Sequence, residues 1–161
     1  MRGRRKVREF YDHLARVYDD LYGEEQEKKY GIVIQALKDY KGTMLDLGCG
    51  TGELSLLMEK ARWDVIGADI SIKMLEVSRG KGLENLVQCS SDELPFRSGS
   101  FNSITAITLF SNSDELLKAV NRLKELLKPN GILIASVPQG VCKSDKLVKY
   151  EGIKDAFLFL S

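Results

Sequence analysis

Apolar residues in the N-terminal part of the chain recur at helical intervals. Val7, Phe10, Tyr11, Leu14, Val17, Tyr18 and Leu21 share one face of a helix over residues 5–21, which Gly23 is expected to break. A second helix is predicted over residues 25–40, with Ile32, Val33, Ala36, Leu37 and Tyr40 on one side and Lys41-Gly42 as its stop. From Thr43 onward the pattern changes to short apolar runs that alternate with helical stretches. Strands are predicted at Thr43–Leu47, Asp64–Asp69, 85–89, 101–109 and 132–137. The helices between them carry Leu54, Leu57, Met58 and Ala61, then Ile72, Met74 and Leu75, then Leu116, Leu117, Val120, Leu123 and Leu127. Ser71 and Ser113 stand where N-caps are wanted. Arg79-Gly80-Lys81-Gly82 and Pro129-Asn130-Gly131 stop the second and third of these helices.

Strands separated by helices imply an α/β fold, with a mostly parallel sheet covered on both faces and right-handed crossovers. Ligands in such sheets sit beyond the C-terminal strand ends, near the point where the strand order reverses. The loops after the first four strands should therefore gather round one crevice. The chain reads as a single domain over 1–161, with N-terminal helices at 1–41, a core at 42–138 and a short C-terminal segment at 139–161.

Composition narrows the class only a little. With 161 residues, 43% hydrophobic, 29% charged and three prolines, the chain has the make-up of one globular domain. A net charge of +1 does not demand a nucleic-acid partner. Arg2, Arg4, Arg5, Lys6 and Arg8 are read as a solvated, frayed terminus, with an arm touching RNA or DNA as the alternative. No apolar run approaches the ~18 residues of a membrane span. Glu9, Asp12 and Asp19 follow the basic stretch in place of an apolar segment, so no signal peptide is expected. Cys49, Cys89 and Cys142 are far apart and lack metal spacing, which reads as reduced thiols in a cytoplasmic protein without a metal site.

The chemistry concentrates in Leu45-Asp46-Leu47-Gly48-Cys49-Gly50-Thr51-Gly52. A strand runs into a glycine turn, and a helix opens at Glu53. The turn differs from a dinucleotide fingerprint, because Glu53 stands in place of the last glycine. Asp46 and Glu53 would repel a pyrophosphate and suit a cationic ligand. Asp69 ends the second strand, where a carboxylate can accept both hydroxyls of a ribose. Ser90, Ser91 and Asp92 follow the third strand and offer polar groups to an adenine edge. A cationic amino-acid part, a ribose and an adenine together describe S-adenosylmethionine.

Leu45–Gly52, Asp69-Ile70-Ser71 with Met74-Leu75, Leu94-Pro95-Phe96, residues 101–109 and Leu127-Lys128-Pro129-Asn130-Gly131 together resemble a class I SAM-dependent methyltransferase, closest to the ubiquinone/menaquinone methyltransferase-like, or type 11, group. The resemblance runs from about residue 10 to 138. It implies a Rossmann-like, three-layer α/β/α fold with a helical lid. It also implies that Asp46, Gly48 and Gly50 hold the methionine portion, with Cys49 among the cofactor-binding residues, and that Asp69 binds the ribose. Ile70 and Met74 would flank the adenine, and Ser90, Ser91 and, less directly, Asp92 would contact it. Ile107 and Thr108 would lie beside the methyl donor. The pattern Tyr11-Asp12, Ala15, Tyr18-Asp19 resembles the family's lid, with Tyr18 closing over the cofactor.

Three departures from the family pattern stand out. Asn102 occupies a usual Asp position. Ser111-Asn112 replaces a pair that commonly contains His. Little chain follows Pro138, so the usual closing hairpin has room for Asp155–Leu160 but hardly for a second strand. That shortened end, with apolar Phe157 to Leu160, is expected to leave an edge that pairs with a second copy or a small protein. Candidate proton acceptors are Tyr11, His13 and Tyr18. The acceptor is expected to be a small molecule, with an RNA or protein acceptor and a partner subunit, or a non-catalytic binding module, as alternatives. An NAD-linked oxidoreductase is disfavoured by Asp46 and Glu53.

Overall fold

The computed structural model describes residues 2–142 and 144–161. Five α-helices and seven strands follow along it, with one short 3-10 helix at Gln139–Val141. They are α1 (Arg2–Leu14), α2 (Tyr18–Ala36), β1 (Thr43–Leu47), α3 (Glu53–Lys60), β2 (Asp64–Asp69), α4 (Ile72–Gly80), β3 (Leu86–Gln88), β4 (Phe101–Ala106), α5 (Ser113–Glu125), β5 (Leu127–Pro138), β6 (Val148–Lys149) and β7 (Asp155–Leu160). One sheet has the order β3-β2-β1-β4-β5-β7-β6. β1 to β5 are parallel, and β7 runs antiparallel between β5 and β6. The order reverses between β1 and β4, so a crevice opens above their C-terminal ends.

Alternation in β1 shows how both faces are filled. Met44 joins Val33, Leu37, Leu54 and Met58, whereas Leu45 and Leu47 join Ile104, Leu116 and Leu123. The apolar stripe of α5, Leu116, Ala119 and Leu123, is buried against the second face. Asn102 has a structural role: its Oδ1 accepts from the Thr43 N–H at 3.0 Å and from Lys128 Nζ at 3.1 Å. These bonds join the starts of β1 and β4 to β5.

Several predicted boundaries move, each for a local reason. The N-terminal helices break at residues 15–17, and α2 runs through Gly23. A Cβ at Gly23 would meet nothing within 4 Å, so this is an open helix position where glycine costs only about 1 kcal/mol. The basic N-terminal residues are helical from Arg2 and not frayed, and Arg4 donates to Glu93 at 2.7 Å. β4 ends at Ala106, because Thr108 turns to a φ of 53° and gives its N–H to Ser136 Oγ at 2.9 Å. Asn112, one residue before the expected Ser113, caps α5 by accepting from the Glu115 N–H.

The C-terminal segment corrects a larger expectation. Both closing strands form, because β6 needs only two residues. β7 is inserted between β5 and β6, and Ala156, Phe157 and Leu158 are buried in the chain's own sheet. At Ala156 and Phe157, β7 is therefore covered by β6 and is not a free edge, and the edge of the sheet passes to β6.

β7 is also tied to α2 through charge. Lys29 is 1% exposed, and its Nζ lies 3.0 Å from both Asp155 Oδ1 and Glu25 Oε1. It also donates to Thr108 Oγ1 at 3.0 Å. The other Asp155 oxygen accepts from Thr108 Oγ1 at 2.7 Å and from Ser136 Oγ at 2.6 Å. Removing one partner of such a pair leaves a buried uncompensated charge. Lys29→Ala should therefore lower stability by about 3–5 kcal/mol in a urea titration, and adding Asp155→Ala should recover part of that loss. A fall within the range of a surface substitution would contradict the arrangement.

Candidate functional site

The turn after β1 is held from two sides. The N–H groups of Gly48 and Cys49 donate to the Ala68 carbonyl at 2.7 and 3.0 Å, and Ser78 Oγ on α4 donates to the Gly50 carbonyl at 2.8 Å. Gly48, Gly50 and Gly52 have φ values of 76°, 55° and 83°, a conformation that favours glycine. Their surroundings differ. A Cβ at Gly52 would collide with the Leu83 side chain and crowd that of Ser78, so both would have to shift. A Cβ at Gly50 would meet nothing within 4 Å, because that face opens on the crevice.

Asp69 joins this turn to the next one. Its Oδ2 accepts from the Gly50 N–H at 3.0 Å, and its Oδ1 accepts from the Ser71 N–H at 2.8 Å. Burial raises its carboxyl above the ordinary range, and the N–H donors of Ser71, Gly50 and Ile70 pull it back. Ser71 caps α4 as expected, accepting from the Met74 N–H at 3.1 Å.

The lid docks on the helix starts. Asp12 accepts from Ser71 Oγ at 2.5 Å and from the Lys73 N–H at 3.3 Å, at the N-terminus of α4. Asp19 accepts from Thr51 Oγ1 and from Lys81 Nζ, beside the start of α3. Lys81 also pairs with Glu53. Negative charge is favoured at both places, because the first helical N–H groups point outward there. Tyr11 and Tyr18 are thereby held over the crevice, with ring centroids 6.3 Å apart.

The crevice has a volume of about 480 Å³. The structure brings ten of the twelve expected cofactor residues to its wall: Tyr18, Gly48, Gly50, Asp69, Ile70, Met74, Ser90, Ser91, Asp92 and Ile107. Asp46 and Cys49 are not on it. Asp46 is buried, and its carboxylate accepts from Ser55 Oγ at 2.7 Å and from Thr105 Oγ1 at 2.9 Å. It braces β1 against α3 and β4 behind the turn. The buried Cys49 thiol lies behind the turn as well, close under Gly67.

The expected proton acceptors fare differently. His13 is exposed on α1, with Nδ1 at 2.6 Å from the Glu9 carbonyl, and it does not line the crevice. Tyr11 and Tyr18 do line it, but burial raises both phenols, that of Tyr18 to about 12. Both therefore remain protonated at neutral pH. Cys89, also on the wall, is raised by burial to about 11 and is not a thiolate there.

Sequence reasoning missed one wall altogether. Glu115, Lys118, Ala119 and Arg122 on α5 line the crevice, as do Arg4 and Val7 on α1. The only signal for the α5 wall was the small residue Ala119 in an otherwise leucine-rich stripe.

The residues fit S-adenosylmethionine on three observations. Gly50 leaves the backbone open to a ligand, Asp69 offers a buried carboxylate between two turns, and the volume lies in the ~300–1,000 Å³ range of small-molecule sites.

Residues 45–135 match the family described as Methyltransferase domain. The chain is 32% identical over 139 residues to probable tRNA methyltransferase 9B of Mus musculus, covering 83% of this chain and 30% of that protein. It is 31% identical over 136 residues to the ubiquinone/menaquinone biosynthesis C-methyltransferase of Desulfotalea psychrophila, covering 78% of this chain and 55% of that protein. The chain thus spans about half, or less, of the length of these curated relatives. Among solved structures, the PH0226 protein of Pyrococcus horikoshii OT3 superposes with a TM-score of 0.63 at 25% identity, over 73% of this chain and 58% of that one.

Asp46 generates a pH prediction. Burial raises its carboxyl from 3.8 to about 6, against the lowering effect of the Ser55 and Thr105 hydroxyls. A carboxyl raised in the folded state favours folding while it is protonated. Its contribution is full below its ordinary value near 3.8 and is lost as pH rises through about 6. Asp46→Asn should flatten the stability profile across that interval, read as urea midpoints at pH 4, 5, 6 and 7. An unchanged slope would mean that Asp46 does not titrate there.

Proposed function

The chain belongs to the Methyltransferase domain family and is a class I SAM-dependent methyltransferase, and we propose that it methylates a small molecule held between the lid and α5. S-adenosylmethionine, the cofactor of this family, supplies a methyl group already activated on a sulfonium. The protein's task is then mainly alignment and exclusion of water. We assign the open glycine backbone at Gly48 and Gly50 to the methionine portion and Asp69 to the ribose. Ile70 and Met74 would flank the adenine, with Ser90, Ser91 and Asp92 at its edge. Tyr18 closes the top, and Ile107 borders the reacting end. Asp46 enters this scheme as a positioning residue behind the turn.

The observation that carries the small-molecule reading is the crevice itself. It is confined to about 480 Å³, and two tyrosines are held over it by the docked lid. The three free thiols accord with a reducing, cytoplasmic setting. Among the described residues no helix is long and apolar enough to cross a membrane.

A second reading, an RNA acceptor, has its own support. Arg4, Arg5 and Arg8 line a groove of about 270 Å³ beside Ser90, and one relative is named a probable tRNA methyltransferase. Its test is tRNA binding against salt: an affinity that falls steeply as salt rises, and that weakens on Arg5→Gln/Arg8→Gln, favours it.

Labelled methyl transfer from S-adenosylmethionine into a cell extract separates the two readings. Label is expected in the small-molecule fraction, and label confined to RNA would replace this reading with the second. Asp69→Ala should weaken S-adenosylmethionine binding at least tenfold by calorimetry, about 1.4 kcal/mol. Unchanged affinity would mean that the ribose lies elsewhere.

A further inference from the structure

The crevice extends beyond the loops assigned to the cofactor. Glu115, Lys118 and Arg122 lie at successive turns of α5 and face the same space. Seven residues separate the first from the last, so this wall runs about 10 Å along the helix. It begins beside Thr108 and Ser111, at the loop after β4, where the reacting end lies in the proposed reading.

The charges on this wall are not internally satisfied. Arg122 Nε is buried and has no hydrogen-bond partner among the described residues, while the side chain as a whole is 39% exposed. Its nearest carboxylate oxygen is Asp92 Oδ1, 3.7 Å from a terminal guanidinium nitrogen and too far for a hydrogen bond. The other Asp92 oxygen stands 3.7 Å from Arg4 Nε, so this half-exposed carboxylate lies between two arginines and bonds to neither. Among the described residues Lys118 has no ion pair or hydrogen bond. Among the described residues Glu115 makes no ion pair with Arg122; its Oε2 accepts from the Ser111 N–H at 3.0 Å. Arg4 has its own partner in Glu93. Buried polar atoms in folded proteins are normally paired, so an orphan atom at the wall of a crevice calls for a water, an ion or a ligand.

We propose that the α5 side of the crevice is an acceptor subsite for an anionic group, a carboxylate or a phosphate, bound by Arg122 with Lys118 beside it. This rests on the reading of the crevice as the site of methyl transfer. A planar guanidinium can meet either anion through two parallel N–H bonds. Lys118 adds a point charge on the solvent side, and Ala119 leaves room between the two. The acceptor then lies along α5, with its anion toward Arg122 and its nucleophilic atom toward the loop after β4.

The test is calorimetric. The protein is first saturated with S-adenosylhomocysteine; absence of that binding would count against the cofactor reading itself. The saturated protein is then titrated with phenylacetate, phenyl phosphate and the neutral phenylacetamide, each up to about 10 mM, a range that detects weak ligands. At least one anion should bind saturably while the amide does not, and which anion binds identifies the group. Arg122→Gln should weaken that anion about tenfold or more, Arg122→Lys should weaken it less, and both should keep S-adenosylhomocysteine affinity within about twofold. Binding of neither anion, equal binding of the amide, or an unchanged anion affinity in Arg122→Gln would overturn the proposal. A parallel loss of S-adenosylhomocysteine affinity would also overturn it, because Arg122 would then belong to the cofactor's own site.

Discussion

Asp69 holds the Gly50 N–H with one oxygen and the Ser71 N–H with the other. These two bonds join the turns that follow β1 and β2, and α3 and α4 begin just beyond them. Each hydrogen bond to a charged group contributes about 1.5–3 kcal/mol. Ordering one residue of backbone costs about 1–2 kcal/mol, and somewhat more for glycine. Two such bonds therefore offset the ordering of about two or three residues. The crevice floor depends on this carboxylate whether or not a ligand is bound to it.

The lid uses the same helix starts from above. Asp12 lies at the N-terminus of α4 and Asp19 beside that of α3, each in a position where a negative charge contributes about 0.3–1 kcal/mol. Arg4 adds a bond to Glu93, and Ala15 is buried at the break between α1 and α2. None of the described α1 side chains is fully buried, and Val7, Phe10, Val17 and Leu21 face solvent. In α2 the buried residues are Lys29 and Val33, both in its second half. The first half of the lid is thus held by a few polar contacts, while its second half is fastened to β7. Opening for ligand exchange costs least where burial is least.

Much of this architecture was legible because it is written in short-range signals. Alternation marked the parallel strands, and Gly42, Ser71 and Gly80 punctuated the helices near where the chain turns. Ten of the twelve residues expected at the cofactor from motif positions line the crevice. What could not be read depends on contacts between distant residues. Asp46 looks like a ligand residue until Ser55 and Thr105 are seen to occupy its oxygens. The burial of Lys29 depends on Asp155, far away in the chain. The α5 wall was hidden because Lys118 and Arg122 read as an ordinary polar helix face. β6 was overlooked because a two-residue strand carries no periodicity.

The electrostatics of the crevice constrain the chemistry further. Tyr11, Tyr18 and Cys89 are all pushed upward by burial and keep their protons at neutral pH. The one histidine is outside, on the exposed face of α1. A base is required only where the acceptor must lose a proton before attack. The neutral phenols and thiol are therefore not the bases of this crevice, and outside the loops assigned to the cofactor its lining carboxylate is Glu115, beside Ser111. With or without a base, the acceptor needs orientation. An anion held at Arg122 would supply that orientation from the far end, because fixing one end of a short molecule sets the direction of the other.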